Sequence, residues 1–209
     1  REWTDHVNDQ CIAIGWAGYD QKVDYLPPEH WLVLRLKDEL FASCKRGRLN
    51  GQGPDGKVLV RIRENTEDWY VEHILVTLQQ LPDIGFVSFT GLVMAELEDA
   101  YEKIKRHDRR WAARWRDIEV MINPNGPLLN GGSDGDNGQT GRKLVMDYYG
   151  PRVPIGGGAI YGKDYAHIDR RAGRMAKEMA LERVKAGEKE ALVTVAFAPG
   201  VGEALEIVR

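Results

Sequence analysis

Two cysteines in 209 residues, Cys11 and Cys44, are too few to build a disulfide framework, and their scarcity fits a reducing compartment. No apolar run approaches the roughly 20 residues that cross a bilayer. The opening stretch REWTDHV has no signal-peptide pattern, so the expectation is a cytoplasmic protein with no membrane partner. Lysine and arginine (29) nearly balance aspartate and glutamate (32), leaving a formal net charge of −3. That balance argues against nucleic acid as the main partner. The one markedly basic run, KRHDRRW (Lys105–Trp111), reads as the solvated end of a helix. No fixed-period repeat is visible. A P-loop is excluded because Gly131–Gly135 leads into no helix opened by a Lys-Ser/Thr pair. A dinucleotide fingerprint is excluded because no acidic residue stands at the ribose spacing.

What is present is enough apolar sequence, 43%, for one large or two small domains with cores of their own. Cys11–Ala17 reads as a buried strand. Pro27-Pro28-Glu29 opens a helix running to about Arg46, with Pro28 suited to the first turn and Gly47 to the stop. Its apolar surface is Trp31, Leu32, Leu34, Leu36, Leu40 and Phe41, and His30 reads as a surface or core histidine. Lys57–Arg63 alternates with the period of a strand and, across Asn65–Asp68, forms an antiparallel hairpin with Trp69–Gln79. Thr90–His107 has helical spacing. Asp117–Ile122 and Lys143–Tyr149 read as strands, and Asp169–Ala186 as an amphipathic helix with Ala172, Met175, Ala176, Met179 and Val184 inward. Ala191–Phe197 and Glu203–Val208 read as strands. Helices and strands alternate irregularly with hairpins between them, so an α+β fold is expected rather than a doubly wound sheet.

Eleven of the 23 glycines lie between Gly126 and Gly162, interleaved with Asp136, Arg142, Lys143, Lys163, Asp164 and Asp169. Glycine lets backbone amides approach a ligand, and lysine and arginine supply a point charge and a planar fork, so the stretch reads as a cradle for a polyphosphate. The carboxylates there suit Mg²⁺, which is held by carboxylate together with phosphate oxygens.

Two segments of this stretch, GGSDGDNGQTGRK (Gly131–Lys143) and GGGAIYGKDYAHIDR (Gly156–Arg170), resemble the signature loops of the S-adenosylmethionine synthetases, GGP-x-GD-x-G-x-TGRK and GGGAFSGKD-x-x-K-V-DR. Val7–Ala17 is similar to that family's GDQGLMFGYA, with Asp9 and Gln10 in register. Pro54–Val60 resembles PD-x-K-x-x-V, Ile122–Gly126 resembles INPTG, and Val193–Glu203 resembles VQVSYAIGVAEP.

The resemblance covers the family's middle and C-terminal portions. It implies two synthetase-like domains, residues 1–116 and 117–209, each a curved mixed or antiparallel sheet backed by helices.

The activity implied is attack of the methionine sulfur on C5′ of ATP, which expels tripolyphosphate that the same site hydrolyses, with Mg²⁺ and K⁺ as cofactors. By resemblance, Lys57, Arg142, Lys143 and Lys163 are the polyphosphate-binding and catalytic cations, and Asp169 is a magnesium ligand. Asp55, Leu128, Asp136 and Ala159 lie at the nucleotide, and Asp9, Asp136 and His167 at methionine. Leu128 stands where the family has an aromatic residue that stacks on adenine, and His167 where it has a lysine. Cys11 replaces a glycine and falls near the substrate, either reactive or packed.

The family's SEGHPDK motif, which supplies a catalytic histidine and a magnesium aspartate, has no counterpart here, and neither does its potassium-binding glutamate. The expectation is therefore a homodimer, or a hetero-oligomer with a chain carrying the N-terminal domain. A non-catalytic nucleotide-binding or regulatory subunit of the same descent stands as the alternative.

Overall fold

The computed structural model describes Val7, residues 9–200, Ala204 and residues 206–208. It contains two compact units, Pro28–Asn137 and Arg1–Pro27 together with Gly138–Arg209. The expected division at 116/117 cuts the chain elsewhere. A short strand at 119–122 joins the sheet of the central hairpin, and the strand at the start of the chain pairs with one near its end.

The Pro28–Asn137 unit begins with α1 (Pro28–Lys45), β2 (Gln52–Glu64) and β3 (Trp69–Gln80), numbering the strand Cys11–Gly18 as β1. α2 (Phe86–His107) and β4 (Glu119–Ile122) follow. β2 and β3 form the expected antiparallel hairpin, and β4 lies parallel on the other side of β3. Trp69, Val71, Ile74, Val76 and Leu78 are buried on one face of β3. Their alternation slips by one residue at Glu72–His73, where the pairing with β2 shifts between Arg61 and Ile62. A bulge there restores the apolar phase that strict alternation loses. Phe89, Val93, Leu97, Ala100, Tyr101 and Ile104 recur at helical spacing along α2 and are buried, as are Trp31, Leu32, Leu36 and Leu40 of α1. His30 is buried with them, whereas Phe41 is exposed.

The basic run Lys105–Trp111 corrects the sequence reading. α2 ends at His107, but the residues after it turn inward. Trp69 N–H donates to Arg110 O at 2.7 Å, Ala112 N–H donates to Trp69 O at 3.0 Å, and Trp111 is fully buried. The Trp111 ring lies 4.8 Å from Trp69 and 6.0 Å from Trp31, so three indoles fill one part of this core.

In the other unit β1 (Cys11–Gly18) pairs antiparallel with β5 (Glu190–Phe197), and β5 pairs with β6 (Glu206–Val208). α4 (Ile168–Lys185) packs on this sheet through small residues, burying Ala172, Ala176 and Ala180 against Ala13, Ala17, Val193 and Val195. A Cβ on Gly15 would fall 2.0 Å from the Ala176 carbonyl carbon, so the strand touches the helix backbone there and only glycine fits.

The segment expected as a strand at Lys143–Tyr149 is instead a single helical turn, α3 (Leu144–Asp147), closed by the Met146 and Asp147 amides on Lys143 O. Val145 and Met146 are exposed and Tyr148 and Tyr149 buried, a spacing that satisfies no strand face. The expected strand at Glu203–Val208 is observed at Glu206–Val208, and residues 201–203 and 205 lie outside the described residues.

Candidate functional site

The residues singled out above fall into both units, and each unit forms a local cluster of its own. In the Pro28–Asn137 unit the cluster gathers where β2 starts, β3 ends and the chain leaves β4. Asn123, the first residue after β4, is buried with φ of 45°. Its side-chain amide donates to Leu78 O at 2.9 Å and accepts from Leu78 N–H at 2.7 Å. Asparagine tolerates this left-handed conformation, and its amide completes the β3 ladder where β4 has ended.

The chain then runs beside β3, with Gln80 N–H donating to Leu128 O at 2.9 Å. Gln79 ties three segments together. Its Nε2 donates to Leu129 O at 3.0 Å, its Oε1 accepts from Asp55 N–H at 3.4 Å, and it packs against Gly131. The Asp55 carboxylate accepts the Gly132 amide at 3.1 Å, which fastens the first glycine loop to β2. Lys57 is exposed on β2 opposite Thr77, and Leu128 is half-buried. Asp136 is exposed, with its amide donating to Gly132 O at 2.8 Å. Asp55 and the first glycine loop are thus brought together, with Lys57 two residues along the same strand.

In the other unit the cluster sits at the first turn of α4. His167 caps the helix, its Nδ1 accepting the Asp169 amide at 3.1 Å. An acceptor Nδ1 places the proton of the neutral ring on Nε2. Asp169 is only 7% exposed and its carboxylate is paired with the Lys163 ammonium. Burial pulls this carboxyl upward, but the Lys163 ammonium, the Cys11 thiol and His167 together outweigh burial and hold it below its ordinary value. Position in the first turn also favours a negative charge.

Besides Lys163, two groups flank the carboxylate, Cys11 and Gly158. Burial and the neighbouring Asp169 push the Cys11 thiol to about 12, so Cys11 is a packed hydrogen-bond donor rather than a nucleophile. Gly158 lies against Asp169, and a Cβ there would meet the carboxylate at 2.2 Å. Tyr148 O–H donates to Gly158 O at 2.8 Å, and Gly157 N–H donates to Ile12 O at 2.8 Å. These contacts lay the second glycine loop across the beginning of β1. Ala159, next along the loop, is buried. Arg170 reaches back to Lys163 O at 2.8 Å.

Within this unit Thr140 Oγ1 donates to Tyr161 O at 2.5 Å, which joins the stretch after Gly138 to the second glycine loop. Arg142 is exposed and Lys143 half-buried just beyond Thr140. Asp9 is exposed beside the start of β1 and accepts the Gln10 amide at 2.8 Å. Lys163, His167, Asp169 and Cys11 are therefore brought into one cluster, with Ala159 on the loop that covers it and Arg142 and Lys143 on the loop stitched to it.

Sequence reasoning missed Gln79, Asn123, Thr140 and Tyr148. Asn123 and Thr140 sit inside quoted motifs, INPNG and TGRK, but their hydrogen-bonding roles need a partner far along the chain. Gln79 and Tyr148 carried no signal in the letters.

Mg²⁺ can be tested against these residues. No group of three histidine, cysteine or acidic side chains able to hold a metal occurs among the described residues. Asp169 offers a single carboxylate, which suits a magnesium ion whose remaining oxygens come from bound phosphate rather than an all-protein cage.

Residues 130–208 match the sequence profile of the S-adenosylmethionine synthetase C-terminal domain. Over 96% of its length the chain is 34% identical to an S-adenosylmethionine synthase from Petrotoga mobilis, covering 49% of that protein. Over 93% it is 35% identical to one from Thermus thermophilus, covering 48%. A solved structure of an unusual S-adenosylmethionine synthetase from Campylobacter jejuni superposes with a TM-score of 0.83 and 26% identity, over 99% of this chain and 53% of that one. The chain spans about half the length of the curated relatives it matches.

Proposed function

Because the chain belongs to the S-adenosylmethionine synthetase family, we propose that it binds ATP and L-methionine and takes part in forming S-adenosylmethionine, with release of phosphate and diphosphate. The observation that carries this reading is the cluster at the first turn of α4. A lysine and a buried aspartate, covered by a glycine loop, occupy the part of the chain that matches the family profile.

The reaction demands stabilisation of a highly charged leaving group. As the methionine sulfur attacks C5′, the C5′–O bond breaks and negative charge accumulates on tripolyphosphate. Cations fixed before the bond breaks need not reorganise when it does, and that difference lowers the barrier. By resemblance to the family, Lys57, Arg142, Lys143 and Lys163 take this role. Asp55 and Ala159 line the nucleotide, Leu128 packs on its base, and Asp136, Asp9 and His167 address nucleotide and methionine. With Nδ1 engaged on the α4 cap, His167 presents its Nε2–H as the donor. Asp169 would hold magnesium, which would supply neutralisation of leaving-group charge. Lys163 would offer its ammonium to a phosphate oxygen. A histidine and an aspartate of the family's N-terminal domain would complete the site.

One observation favours a second reading, a nucleotide-binding subunit without transfer chemistry. Lys163 is paired with Asp169, and His167 caps a helix, so both are structurally employed. The two readings separate in an assay of S-adenosylmethionine formation from ATP, methionine, Mg²⁺ and K⁺, followed by mass spectrometry. It is run on the chain alone and mixed with an N-terminal domain carrying HPDK. Product in the mixture, lost in K163A and D169A, supports the enzyme. No product in either, with ATP bound, overturns it and leaves the binding subunit.

A further inference from the structure

We propose that Arg170 is a positioning residue for Lys163, and that the Tyr165 ring holds it to that task. The inference rests on the reading of Lys163 as a polyphosphate-binding cation and adds what aims its ammonium. Lysine carries a point charge on a flexible stem, so its use to a fixed anion depends on how firmly its backbone is held.

Gly162, immediately before Lys163, has φ of +83°, a conformation open to glycine without a Cβ penalty. Two anchors from elsewhere in the unit bracket this permissive point. Thr140 Oγ1 donates to Tyr161 O at 2.5 Å on one side, and Arg170 Nη1 donates to Lys163 O at 2.8 Å on the other. The second anchor springs from the first turn of α4, next to Asp169, whose carboxylate pairs with the Lys163 ammonium. Lys163 is therefore tied to one helical turn twice, by its carbonyl through Arg170 and by its side chain through Asp169.

Arg170 is placed for this role rather than for an ion pair. Its guanidinium makes no ion pair among the described residues and lies 3.8 Å from the centre of the Tyr165 ring. An aromatic face under a planar guanidinium limits the rotation of the side chain and keeps its donors aimed. Tyr165 is 82% exposed, so its ring adds little to any core. It is carried on a closed turn. Ala166 N–H donates to the Asp164 carboxylate at 2.8 Å, and His167 N–H donates to Asp164 O at 3.0 Å. The Arg170 backbone is fixed as well, its N–H donating to His167 O at 3.1 Å.

Isothermal titration of the full chain with inorganic tripolyphosphate in Mg²⁺ tests this, with Lys163→Ala and Arg170→Ala made singly and together. Lys163→Ala should weaken binding about tenfold and Arg170→Ala about fivefold. The double variant should bind no more weakly than Lys163→Ala alone, because the anchor has nothing to aim once the lysine is gone. Losses that multiply in the double variant would mean that Arg170 meets the anion itself. That result, or an Arg170→Ala chain that binds like the parent, overturns the inference while the cradle stands. Tyr165→Ala serves if Arg170→Ala does not fold. It should weaken binding about threefold with the melting temperature unchanged, while Tyr165→Phe binds like the parent. Unchanged affinity in Tyr165→Ala, or a melting temperature that falls in step with affinity, would refute the role given to the ring. If Lys163→Ala binds tripolyphosphate as tightly as the parent, the reading of Lys163 falls and this inference with it.

Discussion

Replacing Lys163 by methionine keeps an apolar stem of similar length and deletes only the charge. Asp169 then loses its ammonium partner in a site where its side chain is 9% exposed and that of Lys163 is 28% exposed. In the parent chain the folded-state carboxyl titrates below its ordinary value, so its contribution is fully present above the unfolded pKa, near ~4. That contribution is lost as pH falls through the depressed folded value. In Lys163→Met, burial is the largest remaining influence and is opposed only by the Cys11 thiol and His167, so the folded pKa rises from its parent value. The carboxylate then contributes less to stability at pH 7, and protonation removes the difference.

Breaking a buried ion pair by removing one partner costs about 3–5 kcal/mol. Lys163 is more than a quarter exposed, so water softens the loss and about 2 kcal/mol is expected. For a chain of this size that corresponds to a Tm lower by about 4–8 °C at pH 7. Thermal melts by circular dichroism in EDTA, from pH 7 down to about pH 3.5, should show the gap between parent and variant closing as pH falls. A gap independent of pH would mean that Lys163 acts through packing of its stem and not through Asp169. In an Asp169→Asn background the same substitution should cost less at pH 7, and an undiminished cost would refute the charge account as well.

Other consequences are as direct. Asn123→Ala strips partners from the buried N–H and C=O of Leu78 and should cost about 2–4 kcal/mol in urea unfolding, with a cost under ~1 kcal/mol showing that water replaces the amide. Gly158→Ala drives a methyl group into the Asp169 carboxylate. It should weaken binding of magnesium tripolyphosphate about tenfold by calorimetry, whereas unchanged affinity would place the anion elsewhere. With its thiol pushed to about 12, Cys11 should resist iodoacetamide at pH 8 while half-buried Cys44 is alkylated, as read by peptide mass spectrometry. Equal labelling of the two would show that the loop over Cys11 opens readily.

Periodicity found the long elements because each turns one face toward a neighbouring element. The alternation of Val58, Val60 and Ile62 and the spacing of Val93, Leu97, Tyr101 and Ile104 each reflect that local geometry. Alternation failed at Lys143–Tyr149, where a glycine-rich segment carries apolar residues without facing a sheet. Lys105–Trp111 was misread for the converse reason. Its charges describe the helix end, but Trp111 is drawn into the core by indoles from β3 and α1.

For the site, the letters alone carried the chemistry proposed above. Glycines that let backbone approach a ligand, interleaved with lysine, arginine and aspartate, are the composition expected of an anion cradle, and their order resembles the family's signature loops. Tertiary structure decided which of them meet. Asp169 becomes a buried, lysine-paired carboxylate only because α4 lies on β1 at Gly15 and the Gly156–Gly158 loop closes over its first turn. Asp55 becomes the anchor of the first glycine loop only because β2 and β3 bring it to Gln79 and Gly132. Residue type fixes what a group can donate, accept or neutralise, but burial and partner come from segments far apart in sequence, and those set which groups act together.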